Sequence, residues 1–440
     1  MKAGSAMMVL GLAILVSGCQ IDSSDGLGGE SRPAVSGGWW RQWNDAAMRR
    51  DIETALVASP DLAAMAAKVA RSQALAEGAQ AAMRPTVNFR FGFAEGRQRN
   101  IDFGPFDLPS WQSGSFLSWE ADLSGKLRAA RQSAVENHTA ALEDLELARL
   151  VLATRLGALR LQLYRLNSEI AIVEESIESM RVTLGYLEER RAAGLSADAA
   201  VDRQRAALEK MARERLDLTR QREVTEARMR TLRGGTPPAG GDRMHFPEPE
   251  TGSFRRLDDL LGSHPRLLAE AARVRAAFQL ERSARLDLLP SFRLNVLATG
   301  GQRSISEQFR VWMGRAGPTL EIPVYDPARL ARLKIRAAEA RLAAANYRQA
   351  VLEVLEDLDT ARLGLTSAQA RLAAALREQA ACQRLHHDAR ERFRSGVISQ
   401  TEVLEAKRDW LVARRGVTLL REAALSARLD LVKATGGADF

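Results

Sequence analysis

Residues 86–93 read Thr86-Val87-Asn88-Phe89-Arg90-Phe91-Gly92-Phe93. In an extended chain Val87, Phe89, Phe91 and Phe93 share one face, and Asn88 and Arg90 share the other. A period of two between apolar and polar faces predicts a β-strand. A second run follows, with Leu117, Trp119, Ala121 and Leu123 opposed to Ser118, Glu120 and Asp122. The pair recurs later in the chain. Phe292, Leu294 and Val296 oppose Arg293 and Asn295, and Leu320, Ile322 and Val324 oppose Thr319 and Glu321. The connection within each pair is polar and carries Gly and Pro, as at Gly104-Pro105.

Apolar-out, polar-in alternation is what a strand needs between lipid and a water-filled lumen. Four strands leave two open edges, and lipid does not tolerate unpaired backbone groups. The smallest closed transmembrane barrels have about eight strands. Several chains must therefore contribute: two would give eight strands, three would give twelve. The lipid-facing residues are then Val87, Phe89, Phe91, Phe93, Leu117, Trp119, Phe292, Leu294, Val296, Leu320 and Ile322. The lumen-facing residues are Arg90, Glu120, Asp122, Arg293 and Glu321, of both signs, so no ion preference follows.

Each strand pair is followed by a long helical pattern. From about residue 124 to 191, Leu145, Leu152, Leu159, Leu166, Val173, Met180 and Leu187 recur every seven residues. Leu156, Leu163, Ile170, Ile177 and Leu184 make a second series. This is a heptad seam for left-handed coiled-coil packing, on the order of 100 Å long at 1.5 Å per residue. Gly194 is placed to end the helix, and Ser196 to cap a return helix to about Leu232. The later copy carries Val351, Val354, Leu358, Ala361, Leu365, Ala368, Leu372 and Ala375 at like spacing, turns at Gly396 and returns to about Thr435. No proline lies between Pro109 and Pro237, or after Pro327, which leaves helices of this length unbroken. An earlier helix spans about 46–83, interrupted near Ser59-Pro60.

The chain is thus one unit written twice. Pro60-Asp61-Leu62, Val69 and Pro85 recur 205 residues later as Pro265-Arg266-Leu267, Val274 and Pro290. Gly194 and Gly234-Gly235 recur 202 residues later as Gly396 and Gly436-Gly437. The expected organisation is a signal peptide at 1–18, a lipidated tether at 19–45, a first repeat at 46–235, a Pro/Gly-rich linker at 236–252 and a second repeat at 253–440. At the N-terminus Lys2 precedes the apolar run 7–16, which ends Val16-Ser17-Gly18-Cys19. This resembles a bacterial lipoprotein signal, with Cys19 lipidated after cleavage. Gln20, in place of an Asp, fits delivery to the outer membrane.

Composition excludes much else. Of 440 residues 46% are hydrophobic and 27% charged, and only 2 are Cys and 5 His. That leaves no disulfide scaffold and argues against a His-based metal centre. The net charge of +8 is dispersed among acids rather than clustered, unlike a nucleic-acid binder. After residue 20 no apolar stretch is long enough for a transmembrane helix. His386 and His387, adjacent on a helix, point about 100° apart and do not chelate together, and Cys382 reads as a buried, inert thiol. No catalytic constellation and no cofactor motif stands out.

One ordered set of features resembles a family. It comprises Cys19 after its lipobox, Trp39-Trp40 with Asn44-Asp45, Ser59-Pro60-Asp61-Leu62 and the run from Trp119 to Arg128. It continues with Ala271-Ala272-Arg273-Val274, Leu289-Pro290-Ser291-Phe292, Gly317-Pro318-Thr319-Leu320 and Gly396-Val397. The chain is similar to TolC-like outer-membrane efflux proteins of the NodT-type lipoprotein branch, over nearly its whole mature length. The resemblance implies a mostly α protomer of tandem repeats, with a periplasmic helical barrel and four strands given to a shared twelve-stranded barrel. It implies a homotrimeric, non-enzymatic duct in outer-membrane lipid that receives small molecules from an inner-membrane pump through a periplasmic adaptor. It places the closing end at the hairpin tips: Arg190, Arg191, Gly194, Leu195, Ser196, Asp198 and Asp202 in the first repeat, and Arg392, Arg394, Gly396, Val397, Ser399, Glu402 and Glu405 in the second. Family tips often read Gly-Leu-x-Ser. The second tip keeps that spacing with Val397, and the first has Ser196 one residue early. Gating salt bridges between the tip acids and arginines are the corresponding expectation. Alternatives are a duct for type I protein secretion, a helical-hairpin adaptor lipoprotein, and a structural coiled-coil lipoprotein; a single hairpin flanked by globular β domains would mark the adaptor.

Overall fold

The computed structural model describes residues 38–93, 97–100, 104–107, 111–240, 246, 262–302 and 312–437. The expected signal peptide, Cys19 and most of the expected tether lie outside the described residues. After a 3-10 turn at Trp39–Arg41 come α1 (Ala46–Ala58), α2 (Pro60–Ala81), β1 (Thr86–Phe93), β2 (Arg97–Asn100), β3 (Gly104–Asp107), β4 (Trp111–Ala121), α3 (Lys126–Ala192) and α4 (Asp198–Leu232). The second run is α5 (Pro265–Leu286), β5 (Ser291–Gln302), β6 (Trp312–Glu321), α6 (Pro327–Arg394) and α7 (Gln400–Ala434). The helices pair by length: 22 residues in both α2 and α5, 67 in α3 and 68 in α6, 35 in both α4 and α7.

Local chemistry sets the ends. Pro60, Pro265 and Pro327 stand at the first helical position, where a missing N–H costs nothing. Asp45 caps α1, accepting from the amides of Ala47 and Met48 at 2.9 Å each. Asp326 caps α6 through the amide of Arg329 at 3.0 Å. The four hairpin and repeat ends close the same way. Gly194, Gly234, Gly396 and Gly436 take left-handed φ, and the next amide reaches back to the carbonyl of Arg190, Arg230, Arg392 or Val432.

β1, β4, β5 and β6 form one antiparallel sheet in the order β1-β4-β5-β6, so strands of both runs share it. β2 and β3 form a separate two-stranded ribbon. The long helix α3 packs on the short helices α2 and α5 of both runs, on its return helix α4 and on α7, whereas α6 packs on α5 and on its return helix α7. In α3 the seam buries Leu145, Leu152, Leu156, Leu163, Leu166, Ile170, Val173 and Ile177. In α6 it buries Val354, Ala361, Ala368 and Ala375, seven residues apart. Val354 packs there on Leu267 of α5, and Ala361 packs against Leu431 and Ala434 of α7. No helix among the described residues is long and apolar enough to cross a membrane.

A charged cluster locks α1 onto α3. Asp51, fully buried, meets Arg160 at 3.2 Å and Arg233 at 3.3 Å and accepts from the Ala239 amide at 2.8 Å. Arg160 donates to the carbonyl of Ala239 at 2.8 Å and to the Tyr164 hydroxyl at 3.1 Å, and Tyr164 donates to Asp45 at 2.6 Å. Burial, reinforced by the bond to Asp45, pushes the Tyr164 phenol up to about 12. Trp39 packs edge-on against Trp40 and Trp43. A side chain at Gly157 would meet the Trp39 ring at 2.9 Å, so the glycine admits the indole.

Ser59 and His264 occupy equivalent cap positions, one residue before Pro60 and Pro265. His264 is buried, and its Nδ1 accepts from the Arg266 amide at 3.2 Å. Burial first, then the Arg266 charge, lower its pKa from 6.5 to about 4, opposed by Asp357. A pKa depressed in the folded state means stability that is complete above pH 6.5 and lost as pH falls toward 4. The loss should be on the order of 3 kcal/mol. His264→Asn keeps an acceptor without the proton uptake, so thermal denaturation of wild type and variant in detergent should diverge only across that interval. Parallel curves from pH 7 to 4 would refute the assignment.

Candidate functional site

The sheet presents two faces. Cross-strand pairs share a face, and the register aligns Val87 with Leu117 and Val296, Trp119 with Leu294, and Phe292 with Leu320. With Phe89, Phe91 and Phe93 these make one apolar face, and the β1 residues on it are 50% to 67% exposed. Arg90, Glu120, Arg293 and Glu321 lie on the other face. Two expected members fall outside the strands. Asp122 follows the end of β4 and folds into the corner before α3, where it accepts from the amides of Leu127 and Arg128 at 3.0 Å each. Ile322 follows the end of β6 and is exposed. Alternation persisted in sequence past the last ladder bond, and the corner claimed both residues. Phe116 and Leu297 stand on the otherwise polar face, unanticipated, in the row Asn88–Phe116–Leu297–Arg315.

Where the sheet meets the helices, six charges alternate in a closed ring. Lys126 contacts Glu120 at 2.7 Å and Asp287 at 3.2 Å. Arg293 bridges Glu120 at 3.4 Å and Glu321 at 3.7 Å. Arg329 reaches Glu321 at 2.5 Å and returns to Asp287 at 3.9 Å. Trp119 adds a bond to the Met83 carbonyl at 2.9 Å. Strands β4, β5 and β6 are thereby tied to the start of α3, the end of α5 and the start of α6. Lys126 is held protonated: burial works against the charge but its two carboxylates outweigh it.

The far ends of the long helices are the two tips. Leu195 donates to the Arg190 carbonyl at 2.8 Å, and Val397 donates to that of Arg392 at 2.9 Å. Arg190 stacks over Tyr186 at 5.7 Å. Arg205 joins the two arms of the first hairpin through Glu188 at 2.6 Å. Among the described residues, of the expected acid–arginine pairs only Arg191–Asp198 forms, at 3.8 Å and exposed. Asp202 instead pairs with Arg205 at 3.8 Å, and Arg394 with Glu391 at 2.6 Å, each on its own helix. Among the described residues no ion pair involves Arg392 or Glu405. Exposed pairs of this kind contribute under about 1 kcal/mol.

The two tips differ in capping. At the second, Ser399 accepts from the Glu402 amide at 3.4 Å while Glu402 takes the Ser399 amide at 3.1 Å, a complete capping box. At the first, the cap position is held by Ala197, which offers no acceptor, and Ser196 sits one residue too early to serve. The expected Ser196 cap is therefore absent. Farther up the hairpin His386 stacks on Trp410 at 5.7 Å, and Cys382 is half-exposed rather than buried. Among the described residues no three His, Cys, Asp or Glu side chains gather as a metal site.

The family model described as outer membrane efflux protein matches residues 52–235 and 257–437. The pyoverdine export outer membrane protein OpmQ of Pseudomonas putida is 27% identical over 416 residues, covering 91% of this chain and 87% of its own. The solved outer-membrane channel OprN superposes with a TM-score of 0.81 at 24% identity, over 92% of this chain and 94% of that one. The outer membrane protein VceC of Vibrio cholerae gives 0.76 at 23% identity, over 92% and 99%.

Ser399→Ala should cost the second hairpin about 1 kcal/mol and raise amide exchange in the first turn of α7, whereas Ala197→Ser should slow exchange at the start of α4. Hydrogen exchange read by mass spectrometry distinguishes the two tips; equal exchange at both in the wild type would count against the difference in capping.

Proposed function

The chain belongs to the outer membrane efflux protein family and is an efflux channel of the outer membrane; from that premise we propose that three copies close one twelve-stranded barrel and pass small molecules outward from a pump–adaptor assembly. The observation that carries this reading is the sheet itself: four strands, an exposed apolar face on one side and an open edge at each end. β4 and β5, of 11 and 12 residues, are long enough to cross a hydrocarbon core when tilted. The apolar face is the lipid-facing one, and the face of Arg90, Glu120, Arg293 and Glu321 lines the lumen. The long hairpins carry the wall into the periplasm, and their tips form the end at which an adaptor docks and the duct closes. Cys19 carries the lipid anchor, and the boundaries of the tether and repeats are those given above. Two hairpins beneath a four-stranded sheet favour this over an adaptor, which needs one hairpin and no amphipathic strands.

Single cysteines test the orientation in a Cys382→Ser background. Ser118→Cys and Asn295→Cys should react with a membrane-impermeant maleimide in outer-membrane preparations, and Phe89→Cys and Leu294→Cys should be shielded. The reverse pattern would invert the sheet. The purified assembly should weigh three chain masses in mild detergent, and a monomer would sink the shared barrel. Mass spectrometry of the N-terminal peptide should find an acylated Cys19; an unmodified residue would remove the anchor and leave the duct standing.

A further inference from the structure

Two arginines on the polar face of the sheet have no carboxylate partner among the described residues. Arg90 projects from β1, at one open edge, and Arg315 from β6, at the other. The acids of that face are already engaged: Glu120 by Lys126 and Arg293, Glu321 by Arg329 and Arg293. Phe116 and Leu297 fill the row that ends in Arg315, and the Arg90 guanidinium lies 5.1 Å from the Phe116 ring centroid. A cavity of about 450 Å³ borders Phe116, Ser118, Asn295, Leu297, Arg315 and Thr319.

We propose that this row is a binding site for small aromatic anions, completed by a neighbouring copy of the chain; the proposal rests on the polar face being the lumen wall. β1 and β6 are the edges that meet when copies close a barrel. Each seam then sets Arg90 of one copy and Arg315 of the next on the same face. Like charges on facing strands repel, and a carboxylate or sulfonate between them converts the repulsion into two charge-assisted contacts. Guanidinium forks match the geometry of such groups. Phe116 and Leu297 supply the apolar surface against which a ring can lie, and Arg90 is already held over the Phe116 ring. A cationic solute finds no unengaged carboxylate among the described residues of this face.

Pyranine, a pyrene bearing three sulfonates, is the probe. Its binding to the full chain in phosphatidylcholine nanodiscs is followed by fluorescence anisotropy at low salt, for wild type, R90Q/R315Q, R90K/R315K and a helix control, R213Q/R220Q, which removes the same charge from exposed positions of α4. The Gln pair at the seam should weaken binding about tenfold or more, while the Lys pair stays within about threefold and the helix control is unchanged. Trimer mass is checked for every variant. Equal affinity in wild type and R90Q/R315Q, or an equal loss in R90Q/R315Q and the helix control, would overturn the site. The two readings fail separately. If Ser118→Cys is shielded from the aqueous maleimide, the lumen assignment falls and takes this site with it. If Ser118→Cys is labelled and R90Q/R315Q binds pyranine like wild type, only the anion site falls.

Discussion

The unpaired backbone along β1 and β6 governs this molecule. In water those N–H and C=O groups would be satisfied by solvent; in hydrocarbon each costs several kilocalories per mole. One chain cannot close a ring with four strands, so in the proposed assembly copies of the chain complete the sheet and its exposed phenylalanine face. The helices inherit that arrangement. Each strand pair delivers the chain to a helix of 67 or 68 residues, and the seam of apolar positions holds it against a short helix, as Val354 on Leu267, and against its return partner, as Ala361 on Leu431 and Val173 on Leu218.

The joint between the two parts is electrostatic. The ring from Lys126 through Glu120, Arg293, Glu321, Arg329 and Asp287 spans elements of both runs. Alternating signs let every member face an opposite charge, which a cluster of one sign could not do. A second lock, Asp51 between Arg160 and Arg233, is buried, so removing one partner would strand a charge away from water. The Trp39 ring seated on Gly157 closes the same region.

Much of this was legible in the sequence because it is periodic. The alternation at Val87–Phe93, the heptads of α3 and α6, the prolines at helix starts and the glycines at four helix ends all carry their geometry locally. What escaped was decided by tertiary context. Asp122 and Ile322 continue the alternation by one residue after the ladder has ended. Phe116 went unnoticed because Ser113, Gly114 and Ser115 blur the alternation just before it, and Leu297 because it stands between Val296 and Ala298. Asp51, Arg160 and Arg233 are far apart in the chain, and no spacing announces that they meet. Arg394 found Glu391 on its own helix, and Arg190 bonded the Leu195 carbonyl instead of an acid across the bend.

The charge ring sits at one extremity of helices on the order of 100 Å long, and the capped and uncapped bends sit at the other. A rigid rod clamped at its head acts as a lever. One degree of tilt about that clamp displaces the opposite extremity by roughly 1.7 Å, so a few degrees sweep it through more than the width of a water molecule. A tilt too small to disturb the six-charge clasp thus becomes a displacement of several ångströms at the distant bends.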